Sequence, residues 1–178
     1  GKNLQTVHNA LDKGKPVMGF PLKGVQLESE IEIIRDKGTG RNILGWLRAG
    51  KKPSKQFIVI GAHLDHVGKG RVGSRAKKNA KKKIHPGADD NASGIAVLLE
   101  IAQFLADLKK RGLLKMNFDI CFAAWSGEEI GLVGSAHYAR ELEKKVKASD
   151  ANASLPIIAY LNLDMVGRYK EKLTLHGI

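Results

Sequence analysis

From Ser54 onward the chain alternates short continuous apolar runs with longer stretches in which apolar residues recur every three or four positions. The segment QFIVIGAHLD, residues 56–65, opens with an apolar run of strand length rich in β-branched residues, the pattern of a strand covered on both faces. The segment SGIAVLLEIAQFLADLKKRG, residues 93–112, sets Leu98, Ile101, Leu105 and Leu108 at helical spacing, with Glu100, Gln103 and Asp107 between them. Lys109, Lys110 and Arg111 complement the helix C-terminus, and Gly112 ends it. MNFDICFAAW (116–125) predicts a second buried strand, GLVGSAHYARELEKKVKA (131–148) a more polar helix, and LPIIAYLNLDMV (155–166) a third strand. This alternation predicts an α/β domain around a largely parallel sheet. Upstream, EIEIIRDKGTGRNILGWLRAG (30–50) reads as two strands joined by the turn Asp36–Gly40, an antiparallel hairpin at the sheet edge. Residues 1–28 show no clear periodicity.

Composition narrows the function classes. A chain of 178 residues with 43% hydrophobic content can build one substantial core. No apolar run approaches membrane-spanning length, so no membrane partner is expected. The opening residues GKNLQTVHNALDKGK lack the apolar segment of a signal peptide. A single cysteine, Cys121, rules out an internal disulfide and reads as a buried thiol. The net charge of +12 is concentrated in GKGRVGSRAKKNAKKKIHPG, which holds Lys69, Arg71, Arg75, Lys77, Lys78, Lys81, Lys82 and Lys83 and no acid. That stretch has no aromatic residue for base stacking and matches no nucleic-acid motif, so it reads as a solvated loop and not as a nucleic-acid interface. Its place between two candidate metal motifs leads us to expect some preference for acidic peptides.

The chemistry lies at the strand ends. His63, Asp65 and His66 follow the first core strand, Glu128 and Glu129 the second, and Asp164 the third, while Asp89 and Asp90 precede the first helix. In open α/β sheets, ligands bind beyond the carboxyl ends of the strands, so one site can collect all these groups. Adjacent glutamates repel each other unless a cation neutralises them. In His63-Leu64-Asp65 the i, i+2 spacing suits Asp65 accepting from the His63 imidazole and fixing its tautomer for a metal. Of the adjacent Glu128 and Glu129, one can bind metal while the other handles a proton. Mixed histidine and carboxylate ligands suit zinc, with manganese or cobalt as alternatives.

GAHLDH, PGADDNASG, FAAWSGEEIGLVGS and NLDMVGR, in this order between Glu30 and Arg168, resemble the di-zinc aminopeptidases of the secreted bacterial leucyl-aminopeptidase type, relatives of glutamate carboxypeptidase and glutaminyl cyclase. The resemblance implies a three-layer α/β sandwich, with a mostly parallel mixed central sheet and helices on both faces. It implies that His63 and Asp164 bind one zinc, Glu129 the other, and Asp90 both. Asp65 would orient His63 and Glu128 would be the general base, with a cis peptide after Asp90. It further implies peptide substrates and a secreted or periplasmic location. A carboxypeptidase or dipeptidase of the same family, or a catalytically silent binding module, are the other readings.

The family also carries a histidine ligand well beyond the NLDMVGR aspartate, and His176 follows Asp164 too closely for that role. His8, His66, His85 and His137 match no ligand motif and read as structural or exposed. The expectation is therefore a leader or tail of a preceding domain over residues 1–28, then the N-terminal part of a catalytic domain over 29–178. The Asp90–Glu129 zinc is expected to lack one ligand, and open sheet edges are expected to favour self-association.

Overall fold

The structure, a computed structural model, describes residues 3–19, 21, 24, 26, 28–33, 37–69 and 84–168. The chain divides into two compact units, Gly1–Lys37 and Gly38–Ile178. The first contains helix α1, Leu4–Asp12, capped where the Asn3 side chain accepts from the Gln5 amide at 2.9 Å. Leu4, Val7 and Leu11 fall on one side of it at i, i+3 and i+7, a periodicity too short to stand out in the sequence.

The second unit is built from β1 (Ile43–Leu47), β2 (Phe57–His63), α2 (Gly94–Lys110), β3 (Asp119–Trp125), α3 (Val133–Ser149) and β4 (Ile157–Asn162). The sheet order is β1-β3-β2-β4. Strands β2, β3 and β4 run parallel, and β1 pairs antiparallel with β3 from Ile43↔Ala124 to Leu47↔Ile120. The expected hairpin is corrected here. The antiparallel edge strand exists, but its partner is β3, and residues 28–33 and 37–42 form no strand. The Asn42 side chain sets this pairing: it accepts from the Ser126 amide at 3.1 Å and donates to the Gly134 carbonyl at 2.8 Å.

Alternation along β2 and β3 sends side chains to two faces and so produces three layers. Phe57, Val59, Cys121, Ala123 and Trp125 pack with Tyr138 and Leu142 of α3. On the other face Ile60, Ala62 and Phe122 pack with Leu98, Ile101 and Leu105 of α2. These are the helix positions that the sequence spacing selects. The segment Ala88–Lys110 is nevertheless long and apolar enough to cross a membrane by length and composition, which corrects the reading that no run approaches that length. Its apolar character is what a helix packed on a sheet requires. Strand β4 differs from β2 and β3: Ile158, Tyr160 and Leu161 are exposed, and among the described residues it pairs only with β2.

Asp119 locks the end of the sheet opposite the candidate site. It is 1% exposed and accepts from Arg48 Nη1 at 2.8 Å, the Ala49 amide at 2.7 Å, the Ser54 amide at 3.1 Å and Ser54 Oγ at 3.0 Å. Burial pushes its carboxyl upward, but these donors outweigh burial and hold it well below the usual carboxylate range.

Candidate metal centre

Because β2, β3 and β4 are parallel and nearly in register, their carboxyl ends share one edge. His63 pairs with Trp125, and Gly61 with Asn162. His63 is the last residue of β2, the Glu128–Glu129 pair lies just beyond β3, and Asp164 lies just beyond β4. The chain then needs only one further loop, Ile84–Ser93, to bring Asp90 onto the same edge.

His63 is buried, with 2% exposure. Its Nδ1 lies 3.1 Å from the Asp65 carbonyl oxygen and 4.0 Å from the Asp65 carboxylate. The backbone carbonyl therefore receives the imidazole hydrogen bond, a correction to the expected carboxylate contact. The Asp65 carboxylate turns away to accept from the Glu128 amide at 3.1 Å and the Glu129 amide at 3.4 Å. Asp65 thus fixes both the histidine and the turn that carries the glutamates.

The other ring nitrogen, His63 Nε2, points towards three carboxylates. It faces Asp90 Oδ1 at 3.2 Å, Asp164 Oδ1 at 3.4 Å and Glu128 Oε2 at 3.9 Å. Donor atoms 2.0–2.1 Å from one tetrahedral zinc lie about 3.3 Å apart, so the His63, Asp90 and Asp164 spacing suits that ion. A second triad, His66, Asp90 and Glu129, shares Asp90 with the first. Its His66 Nδ1 and Glu129 Oε1 are both buried without a hydrogen-bond partner, although they approach to 2.6 Å. Buried polar atoms left in this way call for an ion or a proton between them. The His63, Asp90 and Asp164 spacing therefore fits zinc, while the 2.6 Å His66–Glu129 approach is that of an ion pair.

Two side chains outside the ligand set hold the loops in place. Asn91 is 2% exposed and joins the Asp90 loop to the Asp164 loop. It donates to the Leu163 carbonyl at 2.9 Å and accepts from the amides of Gly94 at 3.0 Å and Met165 at 3.2 Å. Gly94 must lack a side chain here, since a Cβ would sit 2.4 Å from both Asn91 Oδ1 and the Leu163 carbonyl oxygen. The Asp90–Asn91 peptide is cis, as the resemblance implies. Asp89 acts as a clasp: its carboxylate accepts from the Gly167 amide at 3.0 Å and pairs with Arg168 Nε at 2.7 Å. The neighbouring aspartates therefore divide their work, Asp89 facing the 165–168 loop and Asp90 the two triads.

Glu128 is half-buried and belongs to neither triad. Burial raises its carboxyl above the ordinary value, His63 opposes that shift, and the carboxylates of Glu129, Asp164 and Asp65 add to it. A group with these surroundings is suited to carry a proton.

His66, expected to be structural or exposed, is partly buried, and the turn after Asp65 sets it beside Glu129 and Asp90. The signal available in the sequence is its i+3 spacing from His63, which does not reveal the fold-back. His8 pairs with Asp12 at 3.3 Å on α1, and His137 is exposed on α3. His85 lies edge-on to His66 with ring centroids 6.1 Å apart. His176 and the lysine-rich residues 71–83 lie outside the described residues.

The profile of Peptidase family M28 matches residues 42–176. A Pseudomonas aeruginosa protein named aminopeptidase is 35% identical over 143 residues, covering 80% of this chain and 21% of its own. Aminopeptidase YwaD of Bacillus subtilis is 30% identical over 167 residues, covering 87% of this chain and 30% of its own. A probable zinc metalloprotease of Pyrenophora tritici-repentis is 32% identical over 192 residues, covering 94% and 39%. The crystal structure of LapB from Legionella pneumophila overlaps 70% of this chain and 30% of its own, at TM-score 0.44 and 26% identity. The chain spans between about a fifth and two-fifths of the length of the curated relatives. With the family profile covering most of the chain, this protein belongs to peptidase family M28.

Proposed function

We propose that this chain carries the metal-binding and proton-transfer residues of a zinc-dependent aminopeptidase that acts outside the cytoplasm. The observation that supports this most is the convergence of His63, Asp90, Asp164, Glu128 and Glu129 on one sheet edge, with Asp90 common to two triads. In this reading His63 and Asp164 hold one zinc, Glu129 the other, and Asp90 both. Bound zinc supplies Lewis acidity, polarising a scissile carbonyl and acidifying the attacking water.

The remaining steps fall to the chain's own groups. Glu128 takes the proton of the attacking water and delivers it to the leaving amine, which its raised proton affinity and freedom from both triads permit. Asp65 keeps the glutamate turn and the His63 ring in register through its carboxylate and its carbonyl. The cluster of carboxylates favours a positively charged group, and the free α-amine of a peptide is such a group. Cleavage is then confined to the N-terminal residue.

Glu128→Gln is expected to keep its zinc and to hydrolyse leucine anilide about 10²–10⁴-fold more slowly. N-acetylation of the substrate is expected to abolish turnover. Undiminished activity in the variant would remove Glu128 from this role, and equal turnover of the blocked substrate would remove the aminopeptidase reading.

A further inference from the structure

We propose that Asp89 and Ser93 are positioning residues for the metal centre: with Asn91 they hold three consecutive backbone amides just past Asp164, and so set that carboxylate against His63 and Asp90. The proposal rests on the metal-centre reading above and gives a role to two side chains outside the ligand set.

The sheet alone holds Asp164 poorly. The residue follows β4, which among the described residues pairs only with β2, and its side chain is 40% exposed. Met165, next in the chain, has φ +51°, a left-handed backbone that a residue with a β-carbon rarely adopts. The turn around Asp90 supplies the missing support. Met165 donates its amide to Asn91 Oδ1 at 3.2 Å, Val166 to Ser93 Oγ at 3.1 Å and Gly167 to Asp89 Oδ1 at 3.0 Å. Ser93 donates its own hydroxyl proton to the Asp89 carbonyl oxygen at 2.6 Å, which leaves its lone pairs to accept from Val166. A Cβ on Gly167 would sit 2.9 Å from Asp89 Oδ1 and 3.0 Å from Ser93 Cβ, so the loop backbone lies directly on the turn.

The acceptors Asp89, Asn91 and Ser93 alternate along the turn, and Asp90 lies between the first two. Each bond therefore ties the loop of one carboxylate to the turn that carries the other. Asp90 Oδ1 and Asp164 Oδ1 lie 3.2 and 3.4 Å from His63 Nε2, and an ion among these three atoms tolerates little change in that spacing. Asp89 also pairs with Arg168 Nε at 2.7 Å, but the arginine side chain is 76% exposed. Water screens that contact, so the amide bonds do the positioning.

The test uses the 178-residue chain with zinc and Co(II) as probes, in the parent, Ser93→Ala, Asp89→Ala and Asp89→Asn, each checked for folding by circular dichroism. Both alanine variants are expected to bind the first zinc about 10–100-fold more weakly in competition with a chelator. They should also change the intensity of the visible Co(II) band, which reports coordination number and geometry. Asp89→Asn keeps the oxygen that accepts from Gly167, and the exposed Arg168 is free to turn away, so this variant is expected to recover most of the affinity. A role confined to stability would lower the urea midpoint of the metal-free protein and leave the Co(II) band as in the parent, and that result overturns the proposal. Equal losses in Asp89→Asn and Asp89→Ala overturn it as well, because charge and not the amide bond would then be at work. If Asp89→Ala does not fold, Ser93→Ala decides the question by the same two readings. A parent that binds zinc while Ser93→Ala matches it overturns this inference alone. A parent that binds neither ion overturns the metal-centre reading and this inference together.

Discussion

Replacing Asn91 by alanine tests how the two halves of the metal centre are held together. The side chain is buried and bridges the loop of Asp90 to the loop of Asp164 through three hydrogen bonds of 2.9, 3.0 and 3.2 Å. Its removal leaves the Leu163 carbonyl and the amides of Gly94 and Met165 without that partner in a site too tight for a side chain at Gly94. At about 1 kcal/mol for each lost bond, and more where a group stays dry, the expected loss is about 3–4 kcal/mol. For a chain of this size that corresponds to a Tm lower by about 6–16 °C. The loss of alignment between Asp90 and Asp164 is expected to weaken zinc binding by about 10–100-fold. Urea unfolding of the metal-free protein gives the first quantity, and competition against a chromophoric chelator gives the second. Asn152→Ala, at an exposed position, serves as the control and should stay within about 0.5 kcal/mol of the parent. An Asn91→Ala protein within about 1 kcal/mol of the parent, with unchanged zinc affinity, would refute the reasoning.

Other positions give independent checks. Asp119→Ala strands the amides of Ala49 and Ser54 and the Arg48 guanidinium, and is expected to cost about 3–5 kcal/mol in urea unfolding. Folded Asp119 holds its proton less tightly than unfolded chain does, so its contribution is complete at neutral pH and is lost as pH falls below the usual carboxylate range. Stability should therefore fall less steeply between about pH 5 and pH 2 in Asp119→Asn than in the parent, and parallel slopes would contradict this. Burial pushes the Cys121 thiol up to about 11. Its reaction with an aromatic disulfide at pH 8 should be about 10²-fold slower in the native protein than in urea, and equal rates would show that the thiol is reachable.

The core strands and the two long helices were readable because burial leaves a periodic trace. The β2 and β3 runs are apolar throughout, and Leu98, Ile101 and Leu105 repeat at the spacing of the face that meets the sheet. His63, Asp90, Glu128 and Asp164 were legible for a topological reason: parallel strands place their carboxyl ends together, so polar residues after each one converge. The partner of β1 was not legible, because antiparallel pairing with a distant strand leaves the same local pattern as a hairpin. Asn42, which sets that pairing through Ser126 and Gly134, looks in sequence like any loop asparagine. The contacts of His66 and of the Asp65 carboxylate were not legible for a similar reason. Their partners depend on how the chain turns after β2, and no spacing rule records that turn. The exposure of β4 is likewise a property of its neighbours, not of its apolar composition.

Zinc retained per chain after dialysis, compared between the parent and Asp90→Asn, tests the metal centre most directly, because Asp90 is the one residue shared by both triads. The account predicts that the parent keeps zinc and that the variant, still folded by circular dichroism, loses it from both sites together. Retention of the parental amount of zinc by Asp90→Asn would contradict it.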